Sequence, residues 1–272
     1  MASFETAWAV TSSWEGPWKP FKKRDVPNDK GDYLPHGRFG EKNYTGTSWG
    51  LTAEFMQDYR VLPDSTILKV MPLMPKGDAA THWRETRWVW CRGAEIIDQS
   101  IATLIFDYFA QSNIDAMKDI GNVILGFYKK PHFNYAFSDI MEWDKHKNIK
   151  PGAKHRNPEG GFLKITPLGV QLINNAQTQE VLFNAIKAAR IKRKGNITRI
   201  KAFNYGNILT QSEYEVKLEK SGKNRLMTRS ANSPTASREK DFVALEWGLV
   251  AFGVYKGYQY VRSRYKGNLK MD

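Results

Sequence analysis

Residues 98–113 read DQSIATLIFDYFAQSN. Within them Ile101, Leu104, Ile105, Tyr108 and Phe109 recur at i, i+3, i+4 spacing, which gives a helix one apolar side to bury. Asp98 stands where an N-cap belongs, its carboxylate able to accept from a free N–H of the first turn. The organising element is therefore predicted to be a helix against a core.

The surrounding segments have the same character. A further helix is predicted over about 114–128, and others over about 77–91 and 52–59, the last capped by Thr52. Ser3–Trp14 is a helix that "EGP" ends, because Gly16 tolerates helix-stopping angles and Pro17 cannot continue one. Another begins near Thr166. Residues 179–192 form an amphipathic helix with Val181, Leu182, Ala185, Ile186 and Ala189 on its apolar side. No long alternating strand pattern competes, so the fold class is mainly α. Residues 19–50, rich in Gly, Pro, Asn and Asp, read as a long loop of the length usually kept for function.

Beyond about Phe203 the composition turns polar and basic. Residues 203–240, with SGKNRLMTRSANSPTASREK at 221–240, read as a linker. Residues 241–272 read as an apolar or amphipathic helix for docking or membrane association. Its apolar run, Phe242–Tyr255, falls short of the ~20 residues a membrane span needs. The main body is predicted to occupy residues 1–202, as a catalytic part of about 1–95 and a second helical half of about 96–202.

The chain of 272 residues is 41% apolar and carries a net charge of +13, enough apolar residue to build a core and enough positive charge to favour an anionic partner. Nucleic acid, an acidic membrane surface and an anionic cell-wall polymer all satisfy that charge. The basic runs KPFKKR (19–24) and RIKRKGNITRIK (190–201) would serve any of them, but no helix-turn-helix, finger or RNA-recognition pattern points to base reading. Cys91 is the only cysteine, so no intrachain disulfide forms, as suits synthesis in a reducing compartment. The start, MASFETAWAV, lacks the basic and apolar regions of a secretory signal, so delivery by other means is expected. The five histidines share no ligand spacing and no CxxC motif occurs, so neither a metal nor another cofactor is expected.

The segment that carries chemistry is TSSWEGPW (11–18). Glycosidic cleavage needs a protonated acid beside the departing oxygen. Apolar rings disfavour a carboxylate, so Trp14 and Trp18 would keep Glu15, at the helix end, in its acid form. An exposed helix-end glutamate whose tryptophans point elsewhere is the alternative.

Motif order narrows the choice. Glu15-Gly16, then NDKGD (28–32), TGTSWGLT (45–52), IATLIFDYFAQSN (101–113), TPLGVQLIN (166–174) and LFNAIKAARIKR (182–193) together resemble glycoside hydrolase family 108. These are phage-type and bacterial N-acetylmuramidases of lysozyme-like helical fold. The resemblance covers roughly residues 3–200 and implies Glu15 as general acid. It implies that Asp29, Asp32 or Thr47 positions or activates the attacking water, and Trp18, Trp49 and Tyr108 are candidates for lining the sugar groove. The implied substrate is peptidoglycan, and the implied setting is bacterial lysis or local wall penetration by a phage tail or a contractile or secretion machine. The chain departs from the pattern where Pro17 and Asp32 replace glycines, where residues 33–44 are inserted, and where Asn113 stands for a common glycine. Those departures keep open a wall-binding structural subunit with impaired catalysis.

Overall fold

The computed structural model describes residues 1–17, 47–52, 55–56, 64–128, 134–144, 162–193 and 197–221. The chain divides into two units, Met1–Tyr214 and Glu215–Asp272, and of the second only residues 215–221 are described.

The described chain is mostly helical, as expected. Helix α1 spans Phe4–Glu15 and is capped by the Ser3 hydroxyl, which accepts from the Thr6 N–H. A two-residue turn links β1 (Thr47–Ser48) to the antiparallel β2 (Leu51–Thr52). Phe55 then donates its N–H to the Thr52 hydroxyl at 3.2 Å, the capping role expected of Thr52. Helix α2 covers Asp64–Val70. Helix α3, Lys76–Trp83, runs on through a π-turn at Arg84–Trp88, within the predicted 77–91 span.

Helix α4 runs unbroken from Gln99 to Phe127, 29 residues or about 43 Å. The two helices predicted over this span are therefore one. Asn113 lowers helix propensity only slightly, and no proline interrupts the run. Asp98 caps it, accepting from the Ile101 N–H at 2.9 Å. From Ile101 to Phe109 every residue is buried, so this stretch of α4 is enclosed on all sides rather than along one stripe. Phe4, Trp8, Trp83, Trp88 and Phe106 meet over it with ring centroids 5.5–6.2 Å apart.

Next come the short α5 (Phe137–Ile140), then β3 (Met141–Asp144) and β4 (Phe162–Ile165), an antiparallel pair that the sequence did not announce. Trp90 stacks on Phe162 at 4.1 Å and secures this ribbon to the core. Helix α6 (Pro167–Asn174) begins where expected, with the Thr166 hydroxyl as its cap, and α7 is Gln179–Lys192 as predicted. The buried side of α7 differs from expectation. It consists of Leu182, Phe183, Ile186 and Arg190, while Val181 is exposed.

Helix α8 (Ile197–Lys201) leads into the hairpin β5 (Phe203–Asn204) and β6 (Asn207–Ile208), followed by α9 (Gln211–Lys220). Phe203 is fully buried and the Tyr205 hydroxyl donates to Asp98 at 2.7 Å. Residues 203–214 thus belong to the first compact unit and are not linker. The predicted C-terminal helix at 241–272 lies outside the described residues. Among the described residues no helix is long and apolar enough to cross a membrane.

Asp98 serves two partners, the α4 terminus and Tyr205. Asp98→Ala is expected to lower stability by about 1–2 kcal/mol, read as a drop in thermal midpoint, and Asp98→Asn to retain most of it.

Candidate functional site

Glu15 is the last residue of α1. Gly16 closes the helix at φ 69°, donating its N–H to the Ser12 carbonyl, and the Gly16 carbonyl accepts from the Trp49 N–H at 3.0 Å. The helix end and the β1–β2 turn are therefore tied by backbone. The turn itself is Trp49-Gly50, with φ values of 51° and 76°. Positive φ at both central residues is the turn that matches strand twist, and glycine adopts it freely. A tryptophan there is strained and must be held by its surroundings. Trp49 is so held: its indole N–H donates to the Met74 carbonyl at 3.1 Å, and its own carbonyl accepts from the Trp83 indole at 2.9 Å.

This places the turn directly over Glu15. A Cβ at Gly50 would lie 2.9 Å from Glu15 Cγ and 3.0 Å from Oε2, so glycine is needed both for its backbone angle and for closeness. The other oxygen, Oε1, accepts from Arg199 Nη1 at 2.5 Å. The Glu15 side chain is 19% exposed, whereas that of Arg199 is 3% exposed.

Arg199 also binds Asp107 through both Nε and Nη2. Asp107 is fully buried on α4 and accepts two further bonds, from Thr11 of α1 at 2.8 Å and from Arg190 of α7 at 2.6 Å. Burial pushes the Asp107 carboxyl up, but the charges of Arg199 and Arg190 and their hydrogen bonds more than reverse this, so it lies below the ordinary carboxylate value. For Arg199, burial lowers the guanidinium and the two carboxylates outweigh it, leaving it raised.

A third buried arginine lies in the π-turn of α3. Arg87 stacks 4.0 Å from the Phe55 ring centroid and 4.3 Å from that of Trp83. Its Nε and Nη1 are buried and meet no hydrogen-bond acceptor among the described residues. Burial drives this guanidinium down to about 9, against a weaker opposing pull from Glu15. Among the described residues, Arg87, Arg190 and Arg199 thus lie buried around two carboxylates, Glu15 and Asp107. π-Turns and unspent buried charge both cost stability, and such features concentrate at functional sites.

The sequence-predicted residues fall out unevenly. Glu15, Trp49 and the hairpin that Thr47 begins, opposite Thr52, are brought together. Trp18, Asp29 and Asp32 lie outside the described residues, as does the 19–24 basic run. The aromatic cage expected around Glu15 is not what surrounds its described sides: they meet Arg199 and the Gly50 turn, while the Trp14 ring packs 6.1 Å from that of Tyr214. Tyr108 is corrected outright as a groove residue. It is 1% exposed, and its hydroxyl donates to Asp119, which Arg193 also binds. Burial and that bond push its phenol up.

The basic run at 190–201 is corrected in part as an outward attraction surface, because Arg190 and Arg199 are buried and Arg193 is paired. Arg87, Asp107, Arg190 and Arg199 were missed as site residues. The available signal was Asp107 itself, a charge inside the apolar run LIFDYF, which burial obliges to find cationic partners.

Asp107→Asn leaves two buried guanidiniums short of a carboxylate and should cost about 3–5 kcal/mol by chemical denaturation. The depressed folded-state value of Asp107 stabilises the fold above its unfolded value, near ~4, and that contribution is lost as pH falls from there through the folded value. The acid-side loss in thermal midpoint should accordingly shrink in the variant.

Arg87→Met keeps the apolar stacking and removes a buried charge two of whose nitrogens meet no acceptor among the described residues. It is expected to raise stability by about 1–3 kcal/mol in the same denaturation measurement.

Comparison of the chain with models of protein families, with curated proteins and with solved structures finds no match.

Proposed function

We propose that this chain is a peptidoglycan hydrolase of the N-acetylmuramidase type, built on a lysozyme-like helical domain, with Glu15 as general acid. The observation that supports it most is the seat of Glu15. A partly exposed carboxylate ends one helix, is fixed by a buried arginine, and lies under a strained hairpin turn. The order of motifs shared with glycoside hydrolase family 108 supplies the reaction class.

In this reading the sugar chain enters beside the Trp49-Gly50 turn. Glu15 protonates the oxygen of the β-1,4 bond between N-acetylmuramic acid and N-acetylglucosamine as that bond breaks. Trp49 borders the entrance. Asp29, Asp32 or Thr47 positions the water that completes hydrolysis. A carboxylate base at roughly 6.5–9.5 Å from Glu15 would give inversion, and a nucleophile at roughly 5–5.5 Å retention. Arg199, itself held by Asp107, fixes Oε1 of Glu15 in place.

The setting is the bacterial wall, reached from a cytoplasmic site of synthesis through a phage lysis system, a phage tail or a contractile or secretion machine. Residues 241–272 provide docking to such a machine or to the membrane.

A second reading is a wall-binding structural subunit with impaired catalysis. The Arg199–Glu15 ion pair favours it, since a guanidinium favours the ionised carboxylate over a proton donor.

The test measures muropeptides released from purified peptidoglycan by the native protein and by Glu15→Gln at matched thermal stability. The hydrolase reading expects new reducing N-acetylmuramic ends from the native protein and at least a hundredfold less from the variant. Sedimentation with the wall and no release by either protein establishes the second reading.

A further inference from the structure

Between the body of α2 and α3 the chain reads Lys69-Val70-Met71-Pro72-Leu73-Met74-Pro75-Lys76, an apolar run of period three between two lysines. Met71–Leu73 forms one 3₁₀ turn, and Val70 before it has helical backbone angles. A 3₁₀ helix has three residues per turn, so side chains three apart lie one above the other. The period of the sequence thus matches that of the backbone. Met71 and Met74 take the inward side and are buried, whereas Val70 and Leu73 point outward at 40% and 80% exposure. Pro72 and Pro75 are exposed too. Single exposed apolar side chains are ordinary, but four within six consecutive residues make a patch.

The patch is held rigidly. Two prolines restrict its backbone, and the buried methionines anchor it from beneath. The Met74 carbonyl accepts from the Trp49 indole N–H at 3.1 Å, which fastens the knuckle to the hairpin over Glu15. A leucine four-fifths exposed on such a support adds little burial to the fold, and its apolar surface is available to an outside partner.

Charge narrows that partner. Lys69 and Lys76 are exposed and bracket the apolar tip. Lys76 Nζ lies 5.6 Å from the centre of the Trp49 ring, so a cation and a partly exposed indole stand together at one flank. Asp78 is the only acidic residue between Ser65 and Arg84, and Arg84 itself is paired with Glu5. A stable protein interface buries about 800 Å² a side, more than two aliphatic and two proline side chains supply. An anionic bilayer asks for less area. Shallow entry of an aliphatic tip, lysines at the level of the phosphates and an indole among the headgroups act together with the +13 charge of the whole chain.

We propose that residues 69–76 are a shallow insertion site for an anionic phospholipid surface. Val70 and Leu73 enter the acyl boundary, and Lys69 and Lys76 meet lipid phosphates. The site stands on the exposure, periodicity and charge of these residues, and depends neither on hydrolysis at Glu15 nor on residues 241–272.

The test is sedimentation of the full chain with vesicles of equal phosphatidylcholine and phosphatidylglycerol, and with phosphatidylcholine alone. The variants are Val70→Ser with Leu73→Ser, Lys69→Gln with Lys76→Gln, and Val89→Ser as an exposed apolar control elsewhere, each checked for an unchanged thermal midpoint. Partition to the anionic vesicles is expected to weaken at least tenfold in the Val70/Leu73 variant and at least threefold in the lysine variant, and to stay native in Val89→Ser. Phosphatidylcholine alone should bind at least tenfold more weakly. Leu73→Cys carrying an environment-sensitive fluorophore should shift to the blue on the anionic vesicles and be quenched by brominated acyl chains; the buried Cys91 does not compete for the label. Absence of partition overturns the proposal, as does partition unchanged in the Val70/Leu73 variant, which would belong to another surface, or a label that stays as in water. A dimer that Leu73→Ser dissociates, without vesicle binding, assigns the knuckle to a second copy of the chain instead. If the knuckle binds vesicles and the native protein releases no muropeptides, the hydrolase reading falls and the lipid site stands.

Discussion

The Asp107 carboxylate is the constraint on which the rest depends. It is fully buried in the first third of α4, where an unpartnered charge would be prohibitively costly. Its partners come from α1 through Thr11, from α7 through Arg190 and from α8 through Arg199. Four helices far apart in sequence are thereby fixed in one arrangement, because only that arrangement satisfies the charge. A buried ion cluster of this kind adds little net stability compared with apolar packing, but breaking it is expensive. It therefore specifies where α8 must lie. With α8 in place, the remaining donor of Arg199 reaches Glu15. The position of the surface carboxylate is thus inherited from the interior.

Against this satisfied centre, the side facing the hairpin is strained. Trp49 occupies a backbone region that bulky residues avoid, α3 is distorted into a π-turn, and Arg87 keeps two buried donors without acceptors among the described residues. All three converge on one place: the Trp83 indole bonds the Trp49 carbonyl, and the Trp83 ring also stacks on Arg87. Strain collected beside a partly exposed carboxylate is more readily understood as serving a site than as chance, since each feature alone could be relieved by a single substitution.

Sequence reading recovered what local rules determine. The cap at Asp98, the helix start near Thr166, the stop at Gly16 and the span of α7 follow from hydrogen-bonding side chains and backbone freedom within a few residues. What it missed depended on distant partners. Splitting α4 near Asn113 followed a change of composition that tertiary packing overrides. The β3–β4 pair, four residues a strand, is too short for alternation to register. On α7, hydropathy selected Val181 where the fold buries Arg190, because the reason for Arg190 is a carboxylate 83 residues earlier. The site divides in the same way. Glu15 was legible from its neighbours, but Arg199 stands 184 residues away, and tryptophans adjacent in sequence were mistaken for its surroundings.

The two oxygens of Glu15 are not equivalent, and this bears on how an arginine-bound carboxylate can serve as an acid. Oε1 is taken by Arg199, a donor that has no lone pair and no room for a second proton there. Oε2 packs against the turn at Gly50, where a Cβ would lie only 3.0 Å from it. A proton destined for a glycosidic oxygen would have to sit on Oε2, with the sugar approaching past Gly50. Any larger residue at that position would press on Glu15 and lose the backbone angle at once. The turn that strains Trp49 is then the same feature that brings the hairpin backbone against one oxygen of Glu15 while Arg199 holds the other.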